Sequence, residues 1–170
     1  LMQSRYLDFK GLSLYCYRVA SVVGLLAAEI FGFQDKQTQK YAHDLGMAFQ
    51  LTNIIRDIGE DARRGRIYIP MDELKQFNVP AADFLNAKYS DNFTALMQFQ
   101  AQRAEKYYEQ AFAQLPAVDR KNQRPGLIMA AIYRTLLDEI RRENFQVLHQ
   151  RIALTPVRKL WIAWKTWAFA

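Results

Sequence analysis

Gln50-Leu51-Thr52-Asn53-Ile54-Ile55-Arg56-Asp57-Ile58-Gly59-Glu60-Asp61 holds its polar and apolar residues apart at helical spacing. At 100° per residue, Gln50, Asn53, Asp57 and Asp61 fall within an arc of roughly 80° and form one line. Leu45, Ala48, Phe49, Leu51, Ile55 and Ile58 take up much of the remaining circumference. A solvated face is normally broader than this stripe, which therefore points into an interior or a cleft.

Outward from this segment the same period continues. Apolar runs at helical spacing predict helices over residues 4–31, with Gly32 as the stop, and over residues 35–61. Short pieces follow at 72–77 and 81–87. A long helix begins at a Ser90 or Asp91 cap and ends near Leu115-Pro116, another runs from Pro125 to about residue 144, and a last one follows Pro156. Between the second and third pieces, Arg63-Arg64-Gly65-Arg66-Ile67-Tyr68-Ile69-Pro70 breaks the pattern and is expected to be a basic loop. The reading is all-α, one domain over residues 1–170. Seven Gly and five Pro are too few for the many turns of a sandwich. The longest uncharged run is 11 residues, Leu45 to Ile55, so no segment is expected to span a bilayer. One cysteine excludes an internal disulfide and leaves the cytoplasm as the default. A net charge of +6 suggests anionic partners. Residues 1–6 lack the pattern of a secretory signal and read as the interior of something longer.

Unpaired carboxylates in a cleft cost several kcal/mol each, so Asp57 and Asp61 need cations. Two Asp one turn apart, with Asn53 one turn before, suit a hard divalent ion. Mg²⁺ is the natural candidate and Mn²⁺ an acceptable one, held together with substrate phosphate oxygens. Arg63, Arg64 and Arg66 stand ready to neutralise the remaining charge. The plainer alternative is that Asp57, Glu60 and Asp61 pair with Arg56, Arg63 and Arg64 at a solvated helix end. His43 and His149 lack ligand-type partners, and Cys16 has no base beside it, so all three read as structural.

The run from Gln50 to Pro70 closely resembles the second aspartate-rich signature of the squalene and phytoene synthase family. Tyr15-Cys16-Tyr17-Arg18-Val19-Ala20-Ser21-Val22-Val23-Gly24 resembles another signature of that family, and Ile132-Tyr133-Arg134-Thr135-Leu136-Leu137-Asp138-Glu139-Ile140 a third. The resemblance implies an all-helical isoprenoid synthase fold that joins two prenyl diphosphates head to head through a cyclopropylcarbinyl diphosphate. By position, Asn53, Asp57 and Asp61 would hold Mg²⁺. Gln50, Arg56, Arg64, Tyr133 and Arg151 would contact diphosphate, Tyr15 would act near the reacting carbons, and Val19 and Val23 would line the hydrocarbon pocket. Arg63-Arg64-Gly65-Arg66, the Leu137–Asn144 run and the Trp-rich tail look most like bacterial presqualene diphosphate synthases, with phytoene synthase the close alternative. No glycine-rich dinucleotide fingerprint is present, so NADPH is not expected.

The family's earlier aspartate-rich motif has no counterpart before Tyr15, where Asp8 stands alone. The expectation is the C-terminal part of a family domain that carries half of a metal site and is inactive by itself. Pro156 to Ala170 sets three Trp at three-residue spacing among Arg158, Lys159 and Lys165, as helices at a membrane interface do, so a peripheral position at the inner face of the membrane is a second possibility. Packing of this tail against other parts of the domain stays open beside it. A basic helical module that binds nucleic acid, or one that binds a membrane surface without catalysis, is the rival class. The cations are spread over several helices without a recognition motif, and nucleic acid is not expected as a partner.

Overall fold

The computed structural model describes residues 4–169. Among these, α1 (Phe9–Cys16) continues through a π-helical turn (Tyr17–Ser21) into α2 (Val22–Phe31), followed by α3 (Gln37–Arg63), α4 (Met71–Gln76), α5 (Ala81–Leu85), α6 (Asp91–Gln114), a 3-10 turn (Ala117–Asp119), α7 (Arg124–Arg142) and α8 (Pro156–Phe169). The described residues contain one isolated bridge, Arg5 to Ile67, and no strand. The all-α expectation holds.

α3 is the axis of the structure. Its 27 residues span about 40 Å, with α6 along one side, α2 and the π turn along another, and α7 along a third. Tyr41, Leu45, Ala48, Leu51, Ile55, Ile58 and Ala62 are buried on it at helical spacing. α6 answers with Ala101, Ala104 and Ala111, whose small side chains let the two helices approach. Thr52 joins them: its hydroxyl shares a 2.9 Å hydrogen bond with the buried Tyr108 hydroxyl.

Three differences from the sequence reading have physical reasons. Residues 4–7 are not helical. Asp8 caps α1 by accepting from the Gly11 amide at 2.8 Å, while the preceding residues run alongside 67–72, with the Ile67 amide donating to the Ser4 carbonyl and the Met71 amide to the Tyr6 carbonyl. The supposed basic loop is basic only as far as Arg66. Past a Gly65 turn at φ 75° it dives into the core, burying Ile67, Tyr68 and Ile69. Finally, Phe9–Phe31 is long and apolar enough, by length and composition, to cross a bilayer, with mean hydropathy 1.5. The uncharged-run criterion missed this because Lys10, Arg18 and Glu29 interrupt the segment without lowering its average far. In this fold that helix lies on α3. A Cβ on Gly24 would stand 2.7 Å from the Ala42 carbonyl oxygen, and one on Gly46 would stand 2.7 Å from Ser21 Cα, so the crossing is in backbone contact. The Ser21 hydroxyl donates to the His43 carbonyl at 3.0 Å within it.

α3 has no side-chain cap of its own at Lys36. Asp35 supplies one locally, accepting from the Gln37 amide at 2.8 Å, and Asp119, far along the chain, ties down the approach by accepting from the amides of Gln34 (2.6 Å) and Asp35 (3.1 Å) and from the Thr38 hydroxyl (2.6 Å). At its other end, α3 is met by the turn after α7. A Cβ on Gly59 would lie 2.1 Å from the Leu148 carbonyl oxygen, and Arg63 donates to that same oxygen at 2.8 Å. The Tyr89 hydroxyl accepts from the Leu148 amide at 3.0 Å, which fixes the turn from outside.

Two tests follow from these anchors. Gly59→Ala should destabilise the chain by about 1–3 kcal/mol in denaturant unfolding, because backbone on the facing turn must move. Burial alone would raise the Asp119 carboxyl's pKa, yet hydrogen bonds from Thr38, Gln34 and Asp35 hold it below the ordinary carboxylate value. Its contribution to stability is therefore complete above about pH 4 and lost as pH falls further. Melting curves between pH 7 and pH 3 should show a wild-type advantage over Asp119→Asn that shrinks below about pH 4.

Candidate active site

α3 presents Gln50, Asn53, Asp57 and Asp61 along one line, and each meets a different environment. Gln50 and Asn53 border an apolar cavity of about 390 Å³ between α2, α3 and the start of α7. Val19 and Val23 line its wall together with Phe31, Tyr41 and Met129. The Asn53 Oδ1 atom is buried with no hydrogen-bond partner among the described residues. Such an orphaned acceptor costs about 1–3 kcal/mol unless a ligand supplies what it lacks.

One turn further, Asp57 is met by two guanidinium groups. Arg56 donates through Nε at 2.7 Å and Nη2 at 2.6 Å, and Arg151 through Nε at 2.9 Å. Burial pushes the Asp57 carboxyl upward, but these arginines outweigh it and hold the group below its ordinary value. Asp61 goes the other way. Burial raises its pKa, Asp57 and Glu60 add to the rise, and Arg64 and Arg66 offset it only in part. Arg64 itself is exposed and paired with Glu60 at 2.7 Å. The plain ion-pair reading therefore describes Arg56 and Arg64, whereas Arg63 is bound to a carbonyl and Asp61 remains short of positive charge.

Arg56, Arg151 and Tyr133 border a second cleft of about 160 Å³, and Lys159 from α8 borders it with them. Sequence reasoning had no signal for Lys159, which reaches the site only because α8 returns along α7. The Tyr133 ring packs on Phe49 at 4.8 Å, so the small basic cleft and the apolar cavity share a wall. Tyr15 stands elsewhere, in a stack with Tyr68 (5.2 Å) and Tyr6 (5.6 Å). Burial and the Tyr68 neighbour raise its pKa far above the ordinary phenol value. Tyr6 and Tyr68 were not singled out in the sequence, and the apolar Ile67-Tyr68-Ile69 stretch in the break after α3 was the available hint.

Among the described residues no three His, Cys, Asp or Glu side chains gather into a metal cage. The donor set on α3, two carboxylates and one unpartnered amide oxygen, fits instead a hard ion that keeps water and takes phosphate oxygens as further ligands. Cys16, His149 and His43, read from the sequence as structural, have the following surroundings. The Cys16 thiol is buried and pushed up to about 12, His149 is bonded to the Tyr89 hydroxyl at 2.5 Å, and His43 to Asp44 at 2.8 Å. The arrangement can hold a polyanionic head group at its basic, carboxylate-bearing end, with a hydrocarbon tail in the cavity beyond.

Known proteins agree with this geometry. A 15-cis-phytoene synthase of Synechococcus elongatus is 40% identical over 172 residues, covering 94% of this chain and 56% of that enzyme. A dehydrosqualene synthase solved in complex with ligand superposes with a TM-score of 0.86 at 29% identity, over 98% of this chain and 59% of the other. The squalene synthase HpnC of Alicyclobacillus acidocaldarius shares the fold, with a TM-score of 0.74 at 24% identity, over 84% of this chain and 54% of its own. The chain thus spans little more than half the length of these relatives. The model of the squalene/phytoene synthase family matches residues 1–158, which take in the stripe of α3, the wall of the cavity and the arginine cleft, and the chain belongs to that family.

Proposed function

We propose that this chain forms the diphosphate-binding and hydrocarbon-binding part of an enzyme that condenses two prenyl diphosphates head to head, giving a cyclopropylcarbinyl diphosphate. The observation that carries the reading is the junction on α3, where an unpartnered Asn53 oxygen and the Asp57–Arg56–Arg151 cluster adjoin an apolar cavity. Asn53, Asp57 and Asp61 would hold the divalent ion, for which Mg²⁺ is our choice and Mn²⁺ also suits the oxygen donors. Bound there, it supplies positive charge to the departing diphosphate.

The chain's own residues do the rest. Arg56, Arg151 and Lys159 add fixed cations where negative charge grows as the allylic C–O bond breaks. Gln50 and Tyr133, on the rim of the cavity and of the cleft, orient the head group. Val19, Val23 and the apolar wall offer the hydrocarbon an apolar lining, with Val19 42% and Val23 60% exposed in this chain; a carbocation there must be shielded from water, which would quench it to an alcohol. Tyr15 is assigned a place near the reacting carbons by the motif resemblance alone; in this chain its ring lies against Tyr68 and Tyr6, outside the apolar cavity. Two diphosphates must be bound for head-to-head coupling, yet the stripe contains two carboxylates. The chain by itself is therefore expected to bind substrate without turning it over.

Two substrate lengths are in question. Identity of 40% with a phytoene synthase supports twenty-carbon geranylgeranyl diphosphate, while the motif resemblance to presqualene diphosphate synthases supports fifteen-carbon farnesyl diphosphate. Calorimetric titration with non-hydrolysable analogues of both, with and without Mg²⁺, separates them. Mg²⁺-dependent binding of one analogue is expected, falling at least about tenfold in Asn53→Ala and in Asp57→Asn, as loss of a charged hydrogen-bonding contact implies. Binding of equal strength in the variants would remove the head group from α3. Products from either diphosphate with this chain alone would overturn the expectation that it cannot turn over.

A further inference from the structure

α7 and α8 enclose a groove that the site on α3 does not use. Arg158 donates to Glu139 at 2.8 Å near one end, and the Arg124 guanidinium lies over the Trp167 ring at 5.9 Å near the other, so α8 runs back antiparallel along α7. The groove between them has a volume of about 670 Å³, within the range of small-molecule sites. Leu127 and Ala131 of α7, Ile162 and Phe169 of α8 and Phe112 of α6 give it an apolar lining. Its α7 wall, from Leu127 to Thr135, is about 12 Å long. The charges around it are of one sign: Arg120, Arg134 and Lys165 border the groove and no carboxylate does. Arg134 is already ion-paired with Glu105 and lies over the Phe112 ring at 5.6 Å. Arg120 and Lys165 are exposed and meet no carboxylate among the described residues. Antiparallel packing sets Lys165 level with the first turns of α7, the end from which Arg120 comes, so these two charges gather at one end. The Thr135 hydroxyl already donates to the Ala131 carbonyl at 2.8 Å, while Thr166 brings a further hydroxyl to the lining. The family match ends at residue 158, so the α8 wall lies outside the pattern that builds the active site.

We propose that this groove binds a free amphipathic phosphate, an apolar chain ending in one phosphate monoester, without a metal ion. The chemistry of the lining selects this ligand. A phosphate monoester carries a charge of about −1.5 to −2 at pH 7 and three acceptor oxygens, which suits two unpaired cations and a hydroxyl. With no carboxylate on the groove a divalent ion has nothing to hold it, so the head group is recognised by direct charge-assisted hydrogen bonds. The apolar lining takes the chain, and it offers nothing to the polar backbone of a nucleic acid. A chain lying here is enclosed by α6, α7 and α8, which favours a free amphiphile over a head group whose chains stay in a bilayer. At 100° per residue, Trp161, Ile162, Lys165, Thr166 and Phe169 span about 140°, and Trp164 and Trp167 fall outside that arc. The groove is thus a different side of α8 from the one that carries those two Trp. It stands apart from the stripe of α3 and does not rest on the reading of that helix.

Trp161 lines the groove, and Trp164 and Trp167 are the other two Trp of the chain, so Trp164→Phe with Trp167→Phe leaves Trp161 as the single reporter. The test titrates farnesyl phosphate, below the concentration at which it forms micelles, into that doubly substituted chain with EDTA present to remove divalent ions. A saturable change in Trp161 emission is expected. Inorganic phosphate and farnesol each supply half of the ligand and should need at least about tenfold higher concentration. Lys165→Gln and Arg120→Gln should each weaken binding about fivefold, as loss of one exposed ion pair implies. Ala131→Phe fills the groove and should weaken it at least about tenfold. Lys165 is exposed, so the melting curve of Lys165→Gln should not move. Asp57→Asn should bind as tightly as the unchanged site, since Asp57 does not border the groove. Binding lost in Asp57→Asn and kept in Lys165→Gln would overturn the proposal by placing the ligand on α3. So would farnesol binding as tightly as farnesyl phosphate, or no response to farnesyl phosphate beside a response to phosphatidylglycerol vesicles, which would assign the cations to a lipid surface.

Discussion

The carboxylates of α3 are the constraint on which the rest depends. A helix covered along three sides leaves Asp57 and Asp61 partly buried, where a carboxylate gains from a cationic partner, and the fold brings one from a distant part of the chain. Arg151 arrives on the turn after α7, and that turn can reach α3 only because Gly59 presents no side chain to the Leu148 backbone. Arg63 and Tyr89 then hold the turn in place. The same close approach that packs the helix therefore positions the cation opposite Asp57. Asp61, which receives less, keeps a carboxyl shifted upward and remains the place where an added cation gains most.

Apolar and polar halves of the site come from one helix for a geometric reason. Moving along α3 from Asp61 to Tyr41 passes from charged to apolar surroundings over about 30 Å. The π turn and the glycine crossing of α2 on α3 bring Val19 and Val23 onto that line. A long hydrocarbon with an anionic head is the shape of ligand that such a gradient accepts. Asp119 underlies this arrangement from the far end, since it orders the start of α3 and is itself carried by the connection between α6 and α7.

Much of this was legible in the order of residues. The period of α3, its narrow polar line, the Ser90 and Pro125 starts and the Gly32 stop are local signals, because backbone sterics and side-chain spacing within a few turns produce them. The membrane-like average of Phe9–Phe31 was equally local, but it was hidden by scattered charges from a criterion based on uncharged runs. The start of α1 was misread for a different reason. Residues 4–7 have helical spacing, and their pairing with residues 67–72 wins because it satisfies backbone groups across the fold.

The sequence by itself determined that this is a helical chain of the squalene/phytoene synthase family with an acidic line on a buried helix, and that its tail carries Trp and cations together. The Arg56–Asp57 and Arg64–Glu60 pairs lie within one helical turn, but only the tertiary structure decided that Arg151 joins Arg56 at Asp57 and that Lys159 stands beside Tyr133 at the cleft. It also decided that the Trp residues of α8 face outward. Helical periodicity is set within a few residues, so it can be read along the chain. Pairing across a hundred residues, and the choice of which face a helix buries, depend on how whole helices close against one another, and no local spacing records that.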